Sequence, residues 1–106
     1  MVERLDRTFA ALADPTRRAM LASMAGGERS IGELAAPHAM SFAGASKHVR
    51  TLERAGLVER RRAGRTQLCR LRAEPLAEAE AWLRRWEGFW EARLDGLDGL
   101  LQRMDP

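Results

Sequence analysis

Apolar residues recur at helical spacing along most of this chain, and residues that start or stop helices separate the runs. In the first run they stand at positions i, i+4 and i+7, which predicts a short helix with one apolar stripe. This stripe consists of Leu5, Phe9 and Leu12. Asp14 and Pro15 then favour a second helix, because Asp caps helix N-termini and Pro suits the first helical position. That helix is expected to bury Met20, Leu21 and Met24 and to stop at the glycine pair that follows.

Capping signals predict the next two helices. Ser30 and Glu33 have the spacing of a capping box and open a third, short helix, which Pro37 closes. Ser41 is the expected N-cap of a fourth helix, and Gly56 is the expected left-handed residue at its C-terminal end. The residues of these two helices that we expect to face the core are Ile31, Leu34, Ala35, Ala45, Val49 and Leu52.

The opposite face of the fourth helix combines small side chains with basic ones. At about 100° per residue, this face comprises Ala43, Lys47, Arg50 and Arg54, with Gly44 and Ser46 at its edges. Small residues let a helix approach base edges closely, and basic residues donate hydrogen bonds to bases and phosphates. The pattern therefore predicts a helix that enters the major groove of DNA. His48 lies nearer the core, where a structural role and a phosphate contact both remain open.

The residues after Leu57 favour two short strands joined by a turn at Gly64. Such a hairpin directly after a DNA-reading helix is the wing of a winged helix. Arg61, Arg62 and Arg65 are expected to cluster at its tip, where guanidinium groups can follow the phosphate backbone or enter a narrow minor groove. The alternative is a hairpin whose arginines contribute to solubility and do not contact DNA.

The segment from Pro75 onward is helical in pattern and rich in tryptophan. Its glycines lower helix propensity by up to about 1 kcal/mol each, so the helix is expected to kink or fray beyond Leu94. A small domain has few internal surfaces to cover so much apolar area, which favours pairing with a second copy across a two-fold axis. The expected interface comprises Leu5, Phe9, Leu12, Trp82, Trp86, Phe89, Trp90, Leu94 and Leu97. The more specific alternative is that the tryptophans form a pocket for a ligand.

Charge is segregated along the chain in a way that the net charge of +3 conceals. Residues 41–72 hold nine basic and two acidic side chains, a net charge of +7, between a neutral N-terminal part and an acidic C-terminal part. This is the electrostatic signature of a phosphate-binding surface, although a solvated charged face would give the same count.

Length and composition favour one cytoplasmic domain. The 106 residues suit a single core, and no apolar run approaches the roughly 18 residues of a membrane span or the core of a signal peptide. The single cysteine, Cys69, excludes an intrachain disulfide and fits a reducing compartment.

Several strings together resemble the ArsR-type (arsenic repressor) winged helix-turn-helix regulators over nearly the whole chain. They are ALADPTRRAML, GERSIGELA, MSFAGASKHVRTLERAGLVERRRAGR and WEGFWEARLDGL. The resemblance implies a homodimeric repressor that binds an inverted-repeat operator, with the fourth helix in the major groove and the wing on the flanking backbone. It also implies that Ala43, Ser46 and Lys47 lie at the DNA, as the helical-face argument had indicated.

The chain departs from the metal-sensing members of that family. Those place paired cysteines in the third helix, or His and acidic ligands on the last helix, whereas here the third helix lacks cysteine and the last lacks histidine. His38, His48 and Cys69 are not spaced as a site on any one element, so we expect no metal and no cofactor. The chain more closely resembles the non-metal branch. If a ligand regulates it by direct binding, the better candidate is an apolar or aromatic small molecule that enters between the tryptophans of paired C-terminal helices.

Three other classes of function compete with DNA binding. An enzyme is disfavoured because the sequence has no Gly-rich phosphate loop, no suitably spaced Cys/His pair and no nucleophile elbow. A protein-interaction module would be expected to lose the basic helix face, which this chain keeps. In a thiol-responsive regulator, Arg70 would lower the pKa of Cys69, but a lone cysteine of this kind is usually a small buried hydrophobe.

The sequence thus predicts a mostly α winged helix-turn-helix protein with a two-stranded β wing and dimerisation helices at both ends. A DNA-binding core is expected over 14–72, and dimerisation helices over 1–13 and 74–106. The partners are double-stranded DNA and a second copy of the chain. The expected DNA-binding residues are Ser41, Ala43, Gly44, Ser46, Lys47, His48, Arg50, Arg61, Arg62 and Arg65.

Overall fold

The computed structural model describes residues 2–104 and the side chains of residues 3–103. The described residues form six α-helices, three strands and one 3-10 turn at Ala36–His38, one helix and one strand more than the sequence predicts. In chain order they are α1 (Val2–Leu12), α2 (Pro15–Met24), β1 (Arg29–Ser30), α3 (Ile31–Ala35), α4 (Phe42–Arg54), β2 (Val58–Ala63), β3 (Thr66–Leu71), α5 (Glu74–Arg84) and α6 (Glu87–Met104).

The helix starts are where the capping residues predict them. The Asp14 side chain accepts a hydrogen bond from the Arg17 backbone N–H at 3.0 Å, which also lowers the pKa of that carboxyl. Ser30 and Glu33 form the reciprocal capping box, with donor–acceptor distances of 2.9 and 3.1 Å. The Ser41 hydroxyl accepts from a backbone N–H in the first turn of α4. The capping predictions for α2, α3 and α4 are therefore confirmed.

The sheet has three antiparallel strands in the order β1-β3-β2, one more than the predicted two-stranded wing. The additional strand is only two residues long, and Arg29 pairs with Cys69. A segment this short carries no alternation of apolar and polar residues, so periodicity could not have found it. Between β2 and β3, Gly64 makes the turn with φ of +63°, as expected.

The core lies between α2, α3, α4 and the sheet. Ala45, Val49 and Leu52 of α4 have no exposed surface, which confirms the buried face that the sequence predicts. Met20, Leu21, Met24, Ile31, Leu34, Ala35, Leu57, Val58 and Cys69 complete this core. At the end of α4, Gly56 adopts φ of +77° and allows the chain to turn directly into β2.

The face of α1 that packs on this core differs from the apolar stripe. Thr8 and Ala11 are the buried residues, at 2% and 1% exposure, whereas Phe9 is 36% exposed. The Thr8 hydroxyl donates to the Arg4 carbonyl oxygen at 3.0 Å, so its burial leaves no unpaired polar group. Leu5 and Leu12 are half-buried. A large part of the α1 stripe is thus left uncovered by the chain's own core.

The C-terminal segment is interrupted at a place that the glycines did not indicate. The break lies at 85–86, where the backbone N–H groups of Arg85 and Trp86 bond to carbonyls three residues back, at 3.2 and 3.0 Å. Helix α6 then continues through Leu94 and both later glycines to Met104, so the expected fraying beyond Leu94 is wrong. Every α6 side chain from Glu87 to Arg103 is exposed, and only Gly99 is partly covered.

Within residues 2–104, none of the helices combines the length and the apolar character that crossing a bilayer requires.

Candidate nucleic-acid interface

Helix α4 presents the predicted face of small and basic residues to solvent. Ala43, Lys47, Arg50 and Arg54 are exposed, and Gly44 and Ser46 at its edges are half-buried. A β-carbon on Gly44 would lie 3.3 Å from the Ser41 hydroxyl, so glycine leaves room for the capping interaction. The small residues at the start of the helix and the long donors further along are therefore both accessible from one side.

His48 lies at the edge of the core rather than on this face. Its Nδ1 atom is 3.3 Å from a guanidinium nitrogen of Arg17, which also donates to the carbonyl oxygens of Ala10 and Ala11 at 3.0 and 2.7 Å. This network joins the middle of α4 to the junction of α1 and α2. Of the two roles left open by the sequence, the geometry favours the structural one.

The three wing arginines do not form one cluster. Side chains alternate between the faces of a strand, so Arg61 points to the face opposite that of Arg60, whose partner in the register is the buried Cys69. There both arms of the Arg61 guanidinium donate to the Glu28 carboxylate, at 2.7 and 2.8 Å. The arginine holds the pKa of Glu28 below its ordinary value. Arg62 stays at the tip, with Nε 3.3 Å from the Gly64 carbonyl oxygen.

Ion pairing divides the nine basic residues of the 41–72 block into two sets. Four arginines have carboxylate partners: Arg60 with Glu53 (3.0 Å), Arg61 with Glu28 (2.7 Å), Arg70 with Glu59 (2.6 Å), and Arg72 with Glu59 and Glu74 (3.8 and 3.6 Å). For the other five, no carboxylate of the side chains at 3–103 lies within 4.0 Å. They are Lys47, Arg50, Arg54, Arg62 and Arg65. We call these the unpaired cations.

The unpaired cations all belong to α4 or to the wing tip. A sum of charges along the sequence could not separate them from the paired arginines, because all five of these ion pairs join residues from different helices, strands or loops. The sequence therefore located the basic block correctly but overestimated how much of it is available to an external anion.

A groove of about 450 Å³ separates the start of α4 from the wing. Its walls are Ser30, Ile31, Gly32, Phe42, Ser46, Arg60, Arg65, Thr66 and Gln67. The groove brings together Ser46 and Arg65, two predicted site residues that are far apart in the sequence. We refer to it as the α4–wing groove.

Phe42 is a groove residue that sequence reasoning missed. It is 65% exposed although it is a large apolar side chain. Periodicity gave no signal for this exposure, because Phe42 stands three residues before the buried Ala45 and seven before Val49, at the spacing of the buried face of α4.

A second surface of the molecule is apolar and lies on α1, α5 and α6. Phe9, Trp82, Trp86, Phe89 and Trp90 form a continuous chain of aromatic rings, with successive centroid distances of 5.8, 6.0, 6.0 and 5.5 Å. Of the residues expected in the dimer interface, Leu5, Leu12 and Trp82 are half-buried, whereas Phe9, Trp86, Phe89, Trp90, Leu94 and Leu97 are exposed.

Cys69 does not have the environment of a reactive thiol. It is completely buried, and burial raises the pKa of its thiol, although the charge of Arg60 partly opposes the rise. Arg70, which would lower this pKa in a thiol-responsive regulator, points to the other face of the sheet and pairs with Glu59. Of the two interpretations of Cys69, the structure favours the small buried hydrophobe.

No group of three or more His, Cys, Asp or Glu side chains that could hold a metal ion occurs in the part of the chain that the structure describes.

Comparison with known proteins gives one consistent result. A family model described as a helix-turn-helix domain matches residues 12–61. The chain is 38% identical over 96 residues to the HTH-type transcriptional regulator Rv2034 of Mycobacterium tuberculosis, a match that covers 91% of this chain and 87% of that protein.

Solved structures match over most of the fold. The ArsR family transcriptional regulator RHA00566 superposes with a TM-score of 0.79 at 38% identity, over 86% of this chain and 94% of that chain. The winged helix-turn-helix DNA-binding domain of Mb0332 from Mycobacterium bovis, described as homodimeric, gives a TM-score of 0.67 at 31% identity, over 82% and 81%.

Proposed function

Because the chain belongs to the ArsR family of winged helix-turn-helix transcriptional regulators, we propose that it is a cytoplasmic repressor that binds an inverted-repeat operator as a homodimer. Its established class, a transcriptional regulator rather than an enzyme, leaves open how it meets DNA and how it assembles. The α4–wing face and the apolar surface of α1, α5 and α6 bear on these two points.

The observation that carries the DNA-binding mode is the arrangement of the unpaired cations around small residues. Lys47 and Arg50 lie on the same exposed face of α4 as Ala43, and Arg62 and Arg65 lie at the wing tip. A helix with small residues at its start can enter the major groove, while donors on either side contact the phosphates that flank it. In this proposal Ser41, Ala43, Gly44, Ser46, Lys47 and Arg50 meet the major groove, and Arg62 and Arg65 meet the backbone or the minor groove beside it.

Two residues expected at the DNA, Arg61 and His48, are not proposed to contact it directly. Arg61 would have to leave Glu28 before it could reach a phosphate, and His48 already contacts Arg17. We therefore assign His48 to positioning α4, and Arg61 to holding the wing against the loop before β1.

The apolar surface supports the homodimer. Trp90 and Leu94 are each 59% exposed on a helix that the core of its own chain does not cover. Exposed apolar patches of this extent mark association surfaces, and a two-fold axis would bury the same residues on both copies. Two-fold symmetry would also place two copies of α4 about one helical turn of DNA apart, as an inverted repeat requires.

A salt titration tests the DNA-binding mode. Sequencing the fragments that the purified protein recovers from its own genome identifies the operator, and its affinity is then measured over a range of salt concentrations. Each phosphate contact contributes about 0.9 to the slope of log affinity against log salt, so Arg62→Ala should lower the slope by about 1.8 in a dimer. Arg61→Ala should lower it less, because that side chain is already paired.

The matched control is Arg84→Ala, since Arg84 is exposed on α5 and pairs with Glu80 away from α4 and the wing. It should leave the slope unchanged. A slope near zero for the unmodified protein would overturn the proposal and favour a protein-interaction module instead.

For regulation, we propose an apolar or aromatic small molecule as inducer. It would enter between the tryptophans of paired C-terminal helices and favour a dimer geometry in which the two α4 helices no longer match successive major grooves. The aromatic chain from Phe9 to Trp90 supplies a suitable surface.

A further inference from the structure

The exposed Phe42 at the start of α4 carries an inference that rests on the proposed function and makes it more specific. Large apolar side chains at the surface of this molecule occur mainly on the α1, α5 and α6 surface. Phe42 lies apart from them, in the wall of the α4–wing groove, and is 65% exposed. A molecule that contacts Phe42 therefore differs from the one that covers the tryptophans.

The surroundings of Phe42 indicate the nature of that partner. The side chain forms one wall of the α4–wing groove, together with the Ser46 and Arg65 side chains. Ser46 is one turn further along the same helix, at the edge of its small and basic face. An apolar ring thus stands beside a hydroxyl and a guanidinium donor, on the wing side of the start of the helix proposed to enter the major groove.

Base edges in the major groove offer one apolar group that such a ring can contact. Each base pair presents a distinct set of donors and acceptors there, and only thymine adds a methyl group, at C5. Apolar side chains, including phenylalanine, discriminate thymine by packing on this methyl. A phosphate group or a purine edge presents no methyl group on which the ring could pack.

We propose that Phe42 is a specificity-determining residue that reads the C5-methyl group of one thymine in each operator half-site. Ser46 and Arg65 flank it and hold the adjacent base edge and backbone. Phe42 is not among the residues that the sequence predicts at the DNA. Its contact selects a base, whereas cations that contact only phosphates add affinity without selecting a sequence.

Replacing thymine by deoxyuridine removes only the methyl group and keeps every hydrogen-bonding atom. Operators in which one symmetry-related pair of thymines at a time is replaced should identify a single position at which the protein loses affinity. Burial of one methyl-sized group corresponds to about fourfold in affinity, hence about fifteenfold for the two half-sites of a dimer.

The affinity of each protein variant is measured for both the thymine operator and the deoxyuridine operator. Phe42→Ala should bind the thymine and deoxyuridine operators with equal affinity, whereas Phe42→Leu should keep part of the discrimination. Because Phe42 is exposed, both variants should retain the circular dichroism and the thermal midpoint of the unmodified protein. The control is Arg84→Ala, which changes an exposed side chain on α5 that pairs with Glu80; its DNA affinity should still depend on the thymine methyl.

Each outcome decides the proposal. If the unmodified protein binds its operator but is insensitive to deoxyuridine at every position, the assignment of Phe42 is overturned while the DNA-binding function stands. The assignment also fails if Phe42→Ala weakens binding but keeps the full discrimination, since the ring would then contact sugar or backbone. Failure to bind any recovered fragment would overturn the proposed function itself.

Discussion

At the scale of single residues, the availability of a charge depends on its neighbours more than on its type. Arg61 and Arg62 are adjacent in the sequence, yet the first donates two hydrogen bonds to Glu28 and the second has no carboxylate within 4.0 Å among the described side chains. The alternation of side chains along β2 separates them. A bidentate guanidinium–carboxylate pair also fixes the geometry of both partners, so Glu28 anchors the wing to the loop before β1.

This pair predicts a pH dependence of folding. The pKa of Glu28 is lowered in the folded protein from its ordinary value of 4.5, so the ionised carboxylate stabilises the fold above that pH. The contribution is lost as the pH falls through the lower, folded-state pKa. In Glu28→Gln, the thermal midpoint should therefore fall less between about pH 5 and pH 3 than in the unmodified protein.

Glu91→Gln is the matched control, because Glu91 is exposed on α6 and lies within 4.0 Å of no arginine among the described residues. It should keep the acid sensitivity of the unmodified protein. Equal acid sensitivity in the Glu28 and Glu91 variants would show that the wing anchor contributes nothing to stability.

At the scale of elements, α6 is a long helix that the rest of its own chain leaves uncovered. The apolar side chains of α6 have no packing surface within the described part of one copy of the chain, since they lie outside the core formed by α2, α3, α4 and the sheet. Most helical stability in proteins comes from packing of an apolar face, so we propose that a second copy of the chain covers α6.

Trp90→Ala tests that requirement. Truncation of a tryptophan that a partner buries typically costs about 3 to 5 kcal/mol, which is sufficient to separate a small dimer. We expect sedimentation to show monomer or aggregate and operator binding to be lost, although no residue proposed to contact DNA is changed. Glu91→Ala on the same helix should remain dimeric. A Trp90→Ala protein that is still a fully folded, DNA-binding dimer would place the interface elsewhere.

At the scale of the whole molecule, helix α1 packs against both α4 and α5 and so connects the proposed DNA-binding surface with the apolar surface. A transition metal needs about three or four converging donors within roughly 2.0 to 2.3 Å, and no such group occurs among the described residues. Low micromolar zinc, cadmium or arsenite, and EDTA, should therefore leave operator affinity unchanged. A loss greater than about tenfold with any of these ions, abolished by Cys69→Ser or His38→Ala, would contradict the non-metal assignment.

Much of this protein follows from the sequence alone, because local rules determine it. Side-chain caps such as Ser41 and a left-handed glycine such as Gly56 act within a few residues, so the bounds of α4 and its buried face could be predicted. The winged helix-turn-helix order and the location of the basic block follow in the same way.

Only the tertiary structure decided what depends on residues distant in the sequence. Pairing of Arg29 with Cys69 adds a third strand, and the ion pair between Arg61 and Glu28 removes one cation from the wing tip. The groove that joins Phe42, Ser46 and Arg65 likewise exists only when β3 folds back beside α4. Periodicity and capping act over one or two helical turns, whereas strand pairing, ion pairs and grooves form between segments that the chain brings together only on folding.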